Sequence, residues 1–395
     1  MKKVFIFSLF FCLLFLTGCG KYDEKTIVKD LNKKINSITG YHIDGTMQIY
    51  NGEDVYTYDV ESSYENDNYR VSLTNQMNNH EQIILRNSDG VYVLTPSLNK
   101  SFKFQSNWPE NNSQVYLLQS LLTDINKDNK IKLEEKNNKY ILKTKINYSN
   151  NKNLVNQKIY MDKKLNFEKV EVFDKTGNKQ IKMIFNSIDT KASFNNKYFS
   201  TSENMKSANM KSEDNKESTQ NNANKQENKS SSNSTNEQQT QNSKKNIQEN
   251  NTQSDDVTKD SKEDDRNNVS ESQDNSTDTQ TTLLEDTVYP MYLPSGTYLS
   301  TEESVDKEDG ERIILTFAGE TPFILVEETI SKSDEMEIIP VNGEPTIIMD
   351  TVAALSDSSV NFISNGVEYY LASEDMSMQE ILEVAESISS VPIMK

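Results

Sequence analysis

Histidine is almost missing from this 395-residue chain. Only His42 and His80 occur, which leaves too few imidazoles for a His-rich metal site or a paired-histidine catalyst. Cysteine is as scarce: Cys12 and Cys19 are the two, so everything beyond Cys19 lacks a thiol, and disulfides and thiol catalysis are excluded there. Glycine supplies 12 residues and nowhere forms a phosphate-cradling loop. Asp124-Ile125-Asn126-Lys127-Asp128-Asn129-Lys130 has the spaced oxygens of a calcium loop but neither its central glycine nor its closing glutamate, and reads as a solvated helix end. Carboxylate pairs are too abundant to mark a site. The expectation is a protein with no catalytic residues, no metal ligands and no cofactor.

Other absences divide the chain. From Thr201 to Thr282 there is no aromatic residue, no proline and no glycine. Such a stretch buries too little apolar surface to offset ordering costs of about 1–2 kcal/mol per residue, so residues 201–282 are expected to be a disordered Asn/Ser/Gln-rich linker. As a flexible coil it would span roughly 50 Å, letting a second domain range around the first. Beyond it, residues 283–395 are poor in positive charge, with 4 basic against 23 acidic residues. That acidity disfavours nucleic acid and anionic lipid as direct partners of this part. A solvated acidic face or a docking face for a basic partner both fit.

The first 18 residues are the opposite case. Met1-Lys2-Lys3 precedes an apolar run from Val4 to Leu16, 13 residues long, which is short of the ~20 that cross a bilayer but suits an export signal. The run closes on Leu16-Thr17-Gly18-Cys19. This tetrapeptide resembles the lipobox of bacterial lipoproteins, which implies removal of residues 1–18 as a signal peptide and acylation of Cys19, with palmitate among the chains. Two acyl chains give durable anchoring, placing the protein at the outer face of the cytoplasmic membrane. A secreted protein with a chance cysteine in its leader is the plainer alternative.

Residues 19–200 carry strand patterning. Ile27, Leu31, Ile35 and Ile38 recur at helical spacing behind Asp23 and Glu24, which suit the positive end of a helix dipole. From Tyr41 the period becomes two, and strand-like runs follow at 55–63, 69–73, 82–86, 91–95, 100–104, 139–146, 157–161, 169–173 and 180–188. One helix interrupts them, with Val115, Leu118, Leu121 and Leu122 on a face and Asn111-Asn112-Ser113 expected to cap it. The class is α+β, an antiparallel half-barrel covered by helices.

Ile38-Thr39-Gly40-Tyr41, the strand Tyr41 to Met47, and Ser88 to Pro96 running into Phe102-Lys103-Phe104 resemble the LolA/LolB/RseB superfamily, more closely its lipidated YdcC/GerS-like members in spore-forming Gram-positive bacteria. The resemblance implies an apolar cavity for acyl chains or a concave face for a protein, a role in sporulation or germination, and no enzyme. Tyr56, Tyr58, Tyr92, Phe102, Phe104 and Trp108 are the candidate binding residues; aromatic stripes on strands serve equally to fill a core. A pocket of several hundred Å³ would mark a ligand site, a closed interior mere packing.

Residues 283–395 read as a small α+β domain. Strands are expected at 312–317, 322–328, 346–349 and 367–372, with Asn365-Gly366 as a hairpin turn. Ser377 and Glu380 form a capping box for a last helix, with Met376 stapled against Ile381. Tyr292 to Gly296, Leu315 to Phe317, Phe323 to Glu328 and Asn365 to Tyr369 resemble an uncharacterised C-terminal domain of Gram-positive lipoproteins, with Phe362 where a tryptophan is frequent. The resulting expectation is a membrane-anchored lipoprotein that scaffolds an envelope or spore-cortex protein or an acyl chain. A lipid or lipoprotein carrier is the alternative, and a cell-envelope hydrolase a more distant one.

Overall fold

The computed structural model describes residues 22–148, 151–206, 284, 286–307 and 310–388. The signal segment, Cys19 and residues 207–283 lie outside them, and with these most of the expected linker. Helix α1 (Glu24–Asn36) starts where Asp23 accepts a hydrogen bond from Thr26 N at 2.8 Å, and it buries Ile27, Leu31 and Ile35. Six strands follow as a meander: β1 (Gly40–Asn51), β2 (Asp54–Glu65), β3 (Asn68–Asn75), β4 (Glu81–Asn87), β5 (Gly90–Thr95) and β6 (Lys100–Phe104). Helix α2 (Leu118–Lys127) then leads to a second meander of β7 (Lys132–Lys136), β8 (Lys139–Lys145), β9 (Leu154–Met161), β10 (Phe167–Asp174) and β11 (Lys179–Asp189). Pairing of β1 with β11 joins the two meanders into one open sheet.

The expected cap of α2 is not used. Leu117 stands at the N-cap with no side-chain bond, while Ser113 donates to the buried Asp124 and the Ser120 hydroxyl accepts from Gln114 N. Buried polar groups there must be satisfied within the fold, and the loop side chains meet that need before the cap does.

The C-terminal part forms a seven-stranded sheet, in the order β12 (Thr297–Lys307), β13 (Gly310–Gly319), β14 (Phe323–Thr329), β19 (Val367–Ala372), β18 (Ser359–Ser364), β17 (Thr351–Leu355) and β16 (Glu344–Ile348). Helix α3 (Met378–Glu386) carries the capping box of Ser377 and Glu380 and buries Ile381, Leu382, Val384 and Ala385. Asn365 and Gly366 have φ of 50° and 80°, the left-handed pair that a tight hairpin turn demands.

Composition suggested that this part would range freely on its linker; instead it is seated on the large sheet. Strand β15 (Glu337–Val341) lies parallel to β6, from Glu337 beside Lys100 to Val341 beside Phe104, and covers an edge that would otherwise expose unpaired backbone groups. Gln82 of β4 accepts from Val352 N at 2.6 Å and from the Thr351 hydroxyl at 3.1 Å. The Tyr58 hydroxyl donates to Met349 O at 2.7 Å, and Lys100 pairs with Glu368 at 3.2 Å. Val352, Ala354 and Ile363 belong to the apolar core of the large sheet, whereas Ala353 and Leu355 face the core under α3. Strand β17 is therefore buried throughout because both its faces are covered.

Candidate functional site

A cavity of about 360 Å³ opens where the two sheets meet. Met47 and Ile49 project into it from β1 and Ile181 from β11, where Ile49 and Ile181 are directly paired. Val115 reaches it from the loop before α2, Ile347 from β16 and Leu382 from α3. Asn51 donates to Glu386 O at 3.3 Å and ties the end of β1 to that helix.

The mouth is polar. Burial, with Glu383 nearby, pushes the Glu386 carboxyl up to about 7. Asp174 goes the other way, lowered to about 2 by hydrogen bonds from Thr176, Asn178 and Gln180. This combination, an aliphatic wall in a cavity of a few hundred Å³ whose other lining residues are polar, suits a ligand segment with both apolar and polar groups.

None of the six aromatic candidates lines this cavity. Tyr58, Phe102, Phe104 and Trp108 are buried in the core of the large sheet, with Trp108 edge-on to Tyr69 at 6.0 Å, and Tyr56 packs half-buried against that core. Tyr92 belongs to a different set. Because Val91 pairs with Phe104 and Val93 with Phe102, Tyr92 between them points to the other face, where it packs with Ile83, Leu85, Leu94 and Phe199. The stripe is a closed interior split by the pleat, not one wall of a pocket. The cavity residues the sequence pointed to least, Ile181 and Leu382, come from distant elements and read as ordinary members of their apolar faces.

One arrangement has the outline of a hydrolytic triad. His42 Nδ1 and Ser63 Oγ are 2.8 Å apart across paired positions of β1 and β2, and Asp44 lies 3.3 Å from His42 Nε2. Ser63 is fully buried and its hydroxyl also meets the Tyr198 hydroxyl at 2.9 Å. An attacking oxygen needs an open approach for its substrate, and the buried Ser63 hydroxyl is closed off from solvent. Treatment with a fluorophosphonate probe is expected to leave Ser63 unlabelled; labelling lost in Ser63→Ala would reverse that reading.

A family model described as "Sporulation protein YdcC-like" matches residues 1–199. The "Sporulation protein YdcC" of Bacillus subtilis (strain 168) is 32% identical over 392 residues, which is 98% of this chain and 97% of that one. This chain belongs to the sporulation protein YdcC-like family. Among solved structures, MucB in complex with MucA(peri) is 10% identical with a TM-score of 0.27, over 93% of this chain and 98% of that one. The LolA superfamily protein NE2245 from Nitrosomonas europaea gives 12% and 0.26, over 44% and 98%. The CwlD amidase from Clostridioides difficile in complex with the GerS lipoprotein gives 17% and 0.24, over 45% and 97%.

Proposed function

We propose that this YdcC-like chain is a non-catalytic scaffold of the sporulating cell, anchored through acylated Cys19 at the outer face of the cytoplasmic membrane. It grips an apolar segment of an envelope protein, or an acyl chain, in the cavity between its two sheets. The observation that carries this reading is the cavity itself, which is of ligand size and walled by eight aliphatic or thioether side chains from six separated parts of the chain. Family membership supports the setting, and the scarcity of histidine and thiol supports binding over turnover. Stable anchoring at one membrane favours holding over shuttling.

The test is mass spectrometry of the full-length protein extracted in mild detergent from sporulating cells. Wild type is expected to bring down an envelope protein or bound acyl chains, and Ile181→Trp, which fills the cavity from a half-buried position, to lose at least about tenfold of that material while its melting temperature holds. Equal capture by both forms, or turnover of peptidoglycan by the pure protein, would overturn the proposal. Cys19→Ala is expected to abolish palmitate labelling and free the protein into the medium.

A further inference from the structure

Six lysines, Lys130, Lys132, Lys143, Lys145, Lys158 and Lys175, line a groove across the outer strands β7 to β9 and the turn after β10. The acids around them are engaged. Asp128 accepts from Lys130 N and Lys145 N, both at 2.8 Å, Asp174 is held by its own turn, and Glu134 is 2.8 Å from Lys143. Lys158 lies 4.4 Å above the Phe173 ring. Lys130, Lys132, Lys145 and Lys175 are exposed and form no ion pair among the described residues.

The start of the folded chain meets these same strands from their other face, at the β7 edge. Tyr22 stacks on Tyr140 of β8 at 5.1 Å, and Glu24 accepts a hydrogen bond from Leu133 N of β7, next to Lys132. Cys19 precedes Tyr22 by three residues, a reach of about 10 Å. With Cys19 acylated, which is the reading of the preceding subsection, so short a leash holds the β7 edge, where the two faces of the sheet meet, close to the lipid headgroups.

We infer that the lysine groove binds the phosphates of anionic lipid headgroups and fixes how the protein stands on its membrane. The formal net charge, −19 for the full sequence and more negative once Lys2 and Lys3 are removed with the signal, repels such a surface as a whole, so attraction must come from the local field, which reaches about 8–10 Å in physiological salt. That short range makes position decisive. Two lysines at the groove matter, and two elsewhere do not.

Full-length mature protein carrying Cys19→Ala, and so unable to be acylated, is sedimented with vesicles of phosphatidylcholine with or without phosphatidylglycerol. Uptake is expected on the anionic vesicles alone and to vanish as salt rises from about 50 to about 500 mM. Lys132→Gln with Lys145→Gln is expected to lower the partition coefficient at least about fivefold, while Lys191→Gln with Lys197→Gln, an equal change in charge on exposed residues of the segment after β11, changes it less than about twofold. Equal losses from the two pairs, equal uptake on both kinds of vesicle, or binding of soluble polyphosphate with no vesicle uptake would overturn the inference. The assay needs no acylation, so its failure and that of the anchoring proposal are read separately.

Discussion

Cutting the chain at a specific protease site inserted after Asn250 is expected to leave the two halves eluting together from a gel-filtration column. The connection through residues 207–283 is then broken, and only the contacts between the sheets remain. Those contacts include five residue pairs of parallel ladder between β6 and β15 and a shared apolar core to which Val352, Ala354 and Ile363 contribute. Gln82 is the most exacting of them, since it serves Val352 N, the Thr351 hydroxyl and, at 3.4 Å, Val352 O in a buried setting. Gln82→Ala leaves a buried N–H and a hydroxyl without partners, a loss of about 2–4 kcal/mol, or roughly 30-fold or more in the affinity of the cut halves. Fragments that separate at micromolar concentration in the wild-type sequence would show that the seating of the C-terminal strands does not hold in solution.

The protein is also expected to be more stable at pH 5 than at pH 8. Burial raises Glu327 to about 7, with the charge of Glu302 adding to the effect, and burial raises Asp124 to about 6. Glu386 stands at about 7 for the reason given above, and Asp350 is raised by burial as well. A carboxyl whose folded value lies above its unfolded one binds more protons when folded. Its contribution is therefore complete below about pH 4.5 and is lost as the pH climbs through about 7. His80, lowered by burial, opposes this with the reverse sign: its contribution is present above about 6.5 and falls away as the pH drops.

Glu327 should dominate, because it is fully buried in β14 and its Oε1 finds no partner among the described residues, although Oε2 accepts from Val288 N at 3.1 Å. Its displacement corresponds to about 3 kcal/mol, enough to move a melting temperature by about 5 °C or more. Glu327→Gln keeps the shape and removes the titration, so its melting temperature should vary less between pH 5 and 8. Parallel curves for the two proteins would rule Glu327 out as the cause.

Much of the fold is written in local signals. Asp23 with the Ile27, Leu31, Ile35 stripe defines α1, the alternation from Tyr41 defines β1, and Ser377 with Glu380 defines the start of α3. Three of the strands that the sequence does not announce have no local contrast to show. Strand β12 is almost wholly exposed and rich in Glu, β7 is Lys-Leu-Glu-Glu-Lys, and β17 has two buried faces and so no alternation. The site was less legible still. The candidate aromatic residues bury the most area, and for that reason they sit in closed cores. The cavity arises from Ile181, Ile347 and Leu382, which meet only because the C-terminal strands fold back, and no short window of sequence encodes that return. His42 and Ser63 face each other through register, which likewise shows only once β1 and β2 are paired.

The parallel union of β6 with β15 has a consequence for biogenesis. A ribosome delivers Lys100 to Phe104 long before Glu337 to Val341, so the first meander is complete while the strand that seals its border is unmade. Until then that border is a sticky rim, open to any extended peptide that drifts past. Nascent molecules cut short before residue 337 should therefore aggregate or recruit chaperones, whereas the finished polypeptide supplies its own seal.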